Sequence, residues 1–479
     1  MQEKTLKSSS HARTDLHNRL AHLIATNPAF DRSIVSFQAN KREPFYRWFR
    51  YKEGFSSHLV HYCLTAIARH KGTLLDPFAG AGAALFASRE LGWNATGVEV
   101  LPVGPYAMQA RLAAEAIHSS QIERHLRRLA ACDLSDMAAE QYEFPHIAIT
   151  EGAFPRKTEQ QLSGYLSYCH HQVRDPQLRR LLLFAAFSVL EDVSYTRKDG
   201  QYLRWDHRSP RQLSGRAFDK GPIPEFGQAI VRKLNSIAED LSGASLLPPP
   251  SSLGAIDIRI GSSLDVLPTL PAGHVHFILT SPPYCNRYDY TRTYALELAF
   301  LGCDANHVKH LRQQMLSCTV ENRDKVDYLR ESYRIRSDLS TFSRVDQVFS
   351  NQAALQETLD ALQAHKEAGL LNNANIPRMV WNYFYEMCFA IYEMARVLAP
   401  GGYVVMINDN VRYAGEEVPV DLILSDFASS FGLAVERIWY LPRGKGNSSQ
   451  QMGAHGRQEL RKSVYVWSKP APEPRQLRM

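Results

Sequence analysis

The stretch TLLDPFAGAGAALFASRELGWNATGVEV, Thr73 to Val100, decides the fold class. Its first apolar run ends at Asp76, a glycine turn follows, amphipathic residues run from about Ala83 to Leu91, Gly92 stops them, and a second run ends at Glu99. Strand, turn, helix and strand in that order form the opening unit of a mostly parallel α/β sheet. Gly80 and Gly82 let backbone approach a ligand with no Cβ in the way, and the helix behind them aims unpaired N–H groups at it. Glu99 follows Asp76 by 23 residues, close to the ~20-residue spacing at which an acid meets ribose hydroxyls in a Rossmann-like unit.

A nucleoside-bearing cofactor is therefore expected at this turn. Leu85 stands where the dinucleotide fingerprint has its third Gly or Ala, and Asp76 would repel a pyrophosphate. The same carboxylate suits a cofactor with a positive amino-acid portion, which makes S-adenosylmethionine a better fit than NAD. The glycines by themselves also suit a helix-packing turn with no ligand.

Further along, HVHFILTSPPYCNRYDYTRTYALELAFLG, His274 to Gly302, places Ser281, Pro282, Pro283 and Tyr284 directly after a buried-looking strand. Two prolines with fixed φ hold carbonyls rigidly at a strand's C-terminal end, where open α/β sheets bind ligands. An exocyclic amine on a nucleobase is a poor nucleophile because its lone pair is delocalised into the ring. Acceptors at the Ser281 hydroxyl and the Pro282 carbonyl favour the tetrahedral geometry that exposes this lone pair, and Tyr284 is placed to stack on the base. Such a base is out of reach inside duplex DNA, so the site requires it flipped out.

Seven strands are expected: Thr73 to Asp76, Ala95 to Val98, Ile256 to Ile260, Val275 to Thr280, Tyr403 to Asn408, Leu433 to Ile438 and Ser463 to Trp467. The long gap after the second strand needs structure of its own, and helices are expected at Pro176 to Asp192 and Pro224 to Leu241. The resulting segmentation is an N-terminal extension (1–44), core (45–135), a helical and basic insertion (136–254), core (255–302), a polar insertion (303–375) and core (376–479).

Composition sets wider bounds. Of 479 residues, 44% are hydrophobic and 22% charged, which excludes a disordered, collagenous or fibrous chain. The formal net charge of +6 is too mild to identify a polyanion partner, so any nucleic-acid signal is local. Seven cysteines with no CxxC spacing imply neither zinc nor a disulfide framework, and reduced intracellular thiols are expected. With no apolar h-region at the start and no run of ~20 apolar residues, a cytoplasmic protein is expected, with no membrane partner.

These residues together resemble the amino-methyltransferases of DNA, the family marked by a DPFAG-type motif and a TSPPY-type motif. The resemblance covers the sheet-forming portions, from Phe45 to about Tyr106 and from Ile256 to Trp467. It implies a Rossmann-like class I methyltransferase fold, with a seven-stranded mostly parallel sheet, helices on both faces and largely helical insertions. It also implies S-adenosylmethionine as cofactor, DNA as partner, and methyl transfer to an exocyclic amino nitrogen. The Ser281 form of the motif is associated mainly with cytosine N4, whereas Asp or Asn there is commoner for adenine N6.

Carried over residue by residue, Asp76, Pro77, Phe78, Gly80, Gly82 and Glu99 hold the cofactor, while Ser281, Pro282, Pro283 and Tyr284 form the catalytic set. WFRYKEGFSSHLV (Trp48 to Val60) resembles the family's motif X, which puts Phe55 and Ser56 at the methionine end of the cofactor. GSSLDVLPTL (Gly261 to Leu270) resembles motif III, with Ser262 where the family usually has Asp. The cofactor motif precedes SPPY here, the reverse of the order common among TSPPY enzymes. A restriction or phage-defence setting, with cognate proteins of such a system, is implied by the resemblance alone. An RNA base methyltransferase and a catalytically silent, nucleic-acid-binding subunit are the rival readings.

Two further stretches carry a polyanion signal. YTRKDGQYLRWDHRSPRQLSGRAFDK, Tyr195 to Lys220, interleaves basic and aromatic residues, and Arg197, Lys198, Tyr202, Arg204, Trp205 and Arg208 are expected to face DNA. The glycine-rich loop with Arg443 and Lys445 is a second such element; a solvated loop is the alternative for both. Cys285 follows PPY, but cytosine methylation at ring carbon five needs Cys directly after Pro, so a packed thiol is expected. His274 and His276 lack a third ligand at short spacing, and no metal is expected.

Overall fold

The computed structural model describes residues 11–52, 54–137, 142–199, 202–211, 218–243, 253–441 and 460–471. In chain order the strands are β1 (Ile24–Thr26), β2 (Thr73–Asp76), β3 (Asn94–Glu99), β4 (Thr196–Asp199), β5 (Tyr202–Trp205), β6 (Ile256–Ile260), β7 (Val275–Thr280), β8 (Leu398–Asp409), β9 (Val411–Tyr413), β10 (Glu416–Val418), β11 (Ala434–Tyr440) and β12 (Lys462–Ser468). Eight of them make one sheet in the order β1-β11-β12-β8-β7-β2-β3-β6, while β4 with β5 and β9 with β10 form separate hairpins. Within that sheet β12 runs antiparallel to both neighbours, and every other neighbouring pair is parallel.

All seven expected strands are present, and β1 is an eighth. Three residues are too few for hydrophobic periodicity to mark a strand. β1 exists because Ile24, Ala25 and Thr26 pair in register with Ile438, Trp439 and Tyr440 of β11, a partner more than 400 residues away.

Alternation along the strands covers both faces of the sheet. Leu75, Ile278, Val404 and Met406 pack with the long helix Ile376–Val397 and the helix Val420–Ser430. Leu74, Phe277, Leu279, Val405 and Ile407 pack on the opposite face with the helices Ser57–Ala66 and Ala83–Glu90. Burying a side chain of this size contributes about 1.5–3 kcal/mol, which is why a central strand is apolar at consecutive positions. The expected helices of the first gap are observed at Pro176–Val189 and Phe226–Gly243, and share one core with Arg156–Gln172. The polar insertion folds into the helices Ala305–Gln314, Val326–Ile335, Leu339–Ser350 and Ala353–Glu367; the buried residues of the last three join the core of the sheet, and those of the first join the core shared by the helices of the first gap.

β2 is flanked by β3 on one side and β7 on the other, so the chain reverses direction across the sheet at this strand. A crevice opens at the C-terminal ends of β2 and β7 for that topological reason, and open α/β sheets bind ligands at such a point.

Candidate active site

Gly80 has φ +52 and Gly82 φ +81, left-handed backbone that favours glycine. Gly82 caps the helix Ala83–Glu90 from behind, and a Cβ there would lie 2.8 Å from Met108 Cγ. Gly80 sits against the Tyr51 ring, where a Cβ would come within 2.9 Å. Its amide donates to Glu99 Oε2 at 2.7 Å, and the Leu101 amide donates to Glu99 Oε1 at 2.8 Å. The acid ending β3 therefore fastens the turn that follows β2.

The two chemical motifs are joined directly. Thr280, the last residue of β7, donates its hydroxyl to Asp76 Oδ1 at 2.6 Å, and the Phe78 amide donates to the same oxygen at 3.0 Å. One cleft is lined by Asp76, Pro77, Phe78, Gly80, Glu99 and Ser262 together with Phe55, Ser281 and Pro283. Ser281 donates to the Tyr284 hydroxyl at 3.2 Å.

Other expected residues stand behind this surface. Ser56 caps the helix Ser57–Ala66, accepting from the Leu59 amide at 3.2 Å and donating to the Ile34 carbonyl at 2.6 Å. Pro282 is buried, and Tyr284 is 1% exposed, so its ring offers no open face to a base in this state. Ser262 caps the short helix that follows β6, and its neighbour Ser263 hydrogen-bonds the Pro77 carbonyl. Cys285 is a buried free thiol whose burial pushes its pKa up, as a packed position requires. His276 accepts the Thr73 amide at 3.2 Å.

The cleft has walls that the motifs did not reveal. Phe45 and Tyr51 come from the segment before the helix Ser57–Ala66, Tyr290 from the helix after SPPY, and Met315 and Leu316 from the polar insertion. Met315 and Leu316 are fixed from below: Lys325 Nζ donates to the Met315 carbonyl at 2.8 Å and to Glu386 Oε2 at 2.6 Å. The Ser317 amide donates to the same carboxylate oxygen at 2.8 Å. No local sequence signal marks these residues, because Lys325 and Glu386 meet across 61 positions.

Burial pushes the pKa values of Asp76 and Glu99 up to about 7, against the hydrogen bonds each accepts. Two desolvated carboxylates facing one cleft, beside glycine backbone and apolar walls, fit a ligand that has a positive centre, hydroxyls and a flat ring.

At 42% identity over 467 residues, covering 95% of this chain and 92% of the relative, the sequence is similar to the type II methyltransferase M.AvaI of Nostoc sp., and equally to that of Anabaena variabilis. It is 38% identical over 472 residues, 96% of this chain and 92% of the relative, to the type II methyltransferase M.BsoBI of Geobacillus stearothermophilus. The chain belongs to the type II DNA methyltransferases. Its methyl donor is S-adenosylmethionine. No family model matches the sequence, and no solved structure matches it. Among the described residues, no helix is long and apolar enough to cross a membrane.

For a methyltransferase, the two raised carboxyl pKa values have a consequence for donor affinity. A donor with a positive centre binds the ionised carboxylates better, so its affinity is expected to fall as pH drops below about 7 and to level off above it. From pH 8 to pH 6 the loss is about tenfold for one required carboxylate, measurable by calorimetry. A flat profile would show that neither acid meets the donor's charge. The same groups make the unliganded protein less stable as pH rises from about 4 to 7, because the folded state binds more protons than the unfolded one there.

The DNA-facing residues expected between Tyr195 and Lys220 separate in space. Arg197 is exposed and Arg204 partly exposed on the β4–β5 hairpin, and Trp205 lies half-buried beneath Arg211. Lys198 is not on that face: it is buried against Glu297 and Glu191. Its β-strand neighbours point outward, and alternation turns it in. Arg208 is held by both oxygens of Asp206 and by the Gly221 carbonyl, which closes the loop after β5. Tyr202 pairs within β5 opposite Asp199. Arg443 and Lys445 lie outside the described residues.

Proposed function

We propose that this protein transfers a methyl group to the exocyclic amino nitrogen of a base flipped out of DNA, with cytosine N4 as the target. The observation that carries the reading is the Thr280–Asp76 hydrogen bond of 2.6 Å, which places Ser281 and the cofactor turn on one cleft. When bound, S-adenosylmethionine supplies an electrophilic methyl group on a sulfonium. Asp76 and Glu99 hold the cofactor by charge and hydroxyl contacts, with Gly80 giving it backbone access and Phe55, Pro77, Phe78 and Ser262 beside it. Ser281 Oγ and the Pro282 carbonyl accept the two amine protons, so that the nitrogen lone pair turns toward the methyl group. Pro283 fixes the path of the loop.

Tyr284 orients Ser281 through the hydrogen bond between their hydroxyls, and stacking on the base requires its ring to be uncovered as the base enters. After transfer the nitrogen carries a positive charge, and it returns to the neutral methylamine by losing one of its two protons to water. The Ser at position 281 supports cytosine over adenine, and the type II relatives support a restriction-modification setting.

Incubation with unmethylated duplex DNA and donor, followed by mass spectrometry of the nucleosides, tests the reading. N4-methylcytosine is the expected product. N6-methyladenine would move the target to adenine. Methylation of tRNA in preference to DNA, or donor binding without any product, would overturn the proposal.

A further inference from the structure

The β4–β5 hairpin has two chemically different faces. In its register Thr196 pairs with Trp205, Arg197 with Arg204 and Lys198 with Leu203. Thr196, Lys198 and Leu203 are buried, so Arg197 and Arg204 stand directly opposite one another on the outer face. Like charges opposite each other across strands destabilise a hairpin. Asp199 lies 3.3 Å from Arg204, but both side chains are about half exposed, and an exposed pair of this kind contributes little. Folding by itself gives no reason for two facing guanidinium groups.

Arg204 is nevertheless held in place on the outer face. Its guanidinium lies 4.1 Å from the centre of the Phe218 ring. Stacking fixes the plane of a guanidinium and leaves its N–H edges available for bidentate contact with phosphate. Loss of side-chain entropy on binding is reduced accordingly.

The inner face fastens the hairpin to the cofactor cleft. Lys198 Nζ hydrogen-bonds Glu297, a carboxylate 1% exposed, and lies 4.5 Å from the centre of the Tyr294 ring. Tyr294 accepts the Lys52 amide at 2.6 Å and stacks on Tyr51 at 5.1 Å, and Tyr51 packs on Gly80. Lys52 Nζ in turn donates to the Lys198 carbonyl at 3.0 Å. A buried ammonium is costly without a partner, and this one has Glu297, an aromatic face and a second carboxylate, Glu191, at 3.8 Å. The hairpin therefore rides rigidly on the lip of the cleft.

We propose that the outer face of the β4–β5 hairpin, with Arg197 opposite Arg204, docks the DNA phosphate backbone next to the flipped nucleotide, while inward-pointing Lys198 seats the hairpin against the cofactor wall. This rests on the reading of the chain as a methyltransferase of flipped DNA bases. The backbone on either side of a flipped nucleotide must pass the cleft mouth, and a phosphate relieves the repulsion built into the Arg197–Arg204 pair. These contacts carry no base identity; they position the duplex.

The test compares the wild-type enzyme with the double variant Arg197→Ala/Arg204→Ala over a series of salt concentrations on one duplex substrate. Removing two phosphate contacts is expected to flatten the slope of log affinity against log salt by about 1.8. The KM for DNA should rise at least tenfold at physiological salt, with donor affinity measured without DNA unchanged. Lys198→Met is expected to weaken donor and DNA together, and Lys198→Arg to restore part of both. An unchanged salt slope and DNA KM in the double variant would overturn the proposal, as would equal losses of donor and DNA binding in that variant. If the wild-type enzyme methylates no DNA at all, the underlying functional reading fails; if it methylates DNA and the double variant matches it, only the docking surface fails.

Discussion

Ser281→Ala is expected to lower the rate of methyl transfer to DNA by about a hundredfold, the scale on which removal of one preorganised hydrogen-bonding group acts on a transition state. Donor affinity should change little, since the contacts proposed to hold the cofactor are those of Asp76 and Glu99 and not of the Ser281 hydroxyl. The reason for so large a kinetic effect is that the hydroxyl acts on the nitrogen only as its geometry changes. An amine that loses one acceptor keeps its lone pair in the ring. The loss should therefore fall on kcat and on kcat/KM alike, with the KM for DNA nearly constant. Single-turnover rates with radiolabelled donor measure this directly. Full activity in Ser281→Ala would remove the hydroxyl from the mechanism and leave the proline carbonyls as the only acceptors at that loop.

Gly104→Ala is the second change with a large expected effect, and the site that explains it was not visible as a motif. Gly104 lies in the first turn of the helix Val103–Ala113, where an alanine ordinarily gains up to about 1 kcal/mol of helix propensity over glycine. Here a Cβ would stand 2.2 Å from the carbonyl oxygen of Gly80 and 2.8 Å from Glu99 Cγ. The first of these is backbone and cannot rotate away, so the turn or the helix must shift. Overpacking of this kind costs about 1–3 kcal/mol, more than the propensity gain, and the net sign is destabilising. The displacement falls on Gly80 and Glu99, the residues proposed to hold the donor. A loss of at least tenfold in donor affinity is expected, together with a lowered Tm. Calorimetric titration with donor, alongside thermal unfolding, distinguishes a displaced site from a merely less stable protein: an unchanged affinity with a lowered Tm would show that the turn recovers its shape.

The reach of sequence reasoning follows the range of the interactions involved. The unit from Thr73 to Val100 was legible because each of its signals is local: apolar periodicity, glycine at left-handed positions, and an acid at a strand end. Ser281 to Tyr284 were legible for the same reason, since proline sets its own backbone. The strand β1 was not, because three residues acquire their structure from β11. The lining residues Met315 and Leu316 were not, because a buried ion pair between distant segments puts them there. Tyr284 shows a different limit. Its place in the loop was clear, but the burial of its ring depends on what packs over it, and that is settled by Lys462 and Tyr465 of β12 and Tyr383 of the helix Ile376–Val397 around it.

Lys198 is the sharpest case. Composition alone groups it with its basic neighbours Arg197 and Arg204, but strand alternation sends adjacent side chains to opposite faces, and a register shift of one residue would have exchanged their roles. By itself, the sequence determined the class of fold, the glycine turn after β2 and the proline loop after β7, to which donor binding and amine recognition are assigned by proposal, because backbone conformation at glycine, proline and strand ends is set by near neighbours. Only the tertiary structure decided which arginines face outward, which lysine is buried and what walls the cleft has. Those outcomes depend on pairing between residues as far apart as Lys198 and Glu297, where the cost of burying a charge is met by a partner that no local pattern can specify.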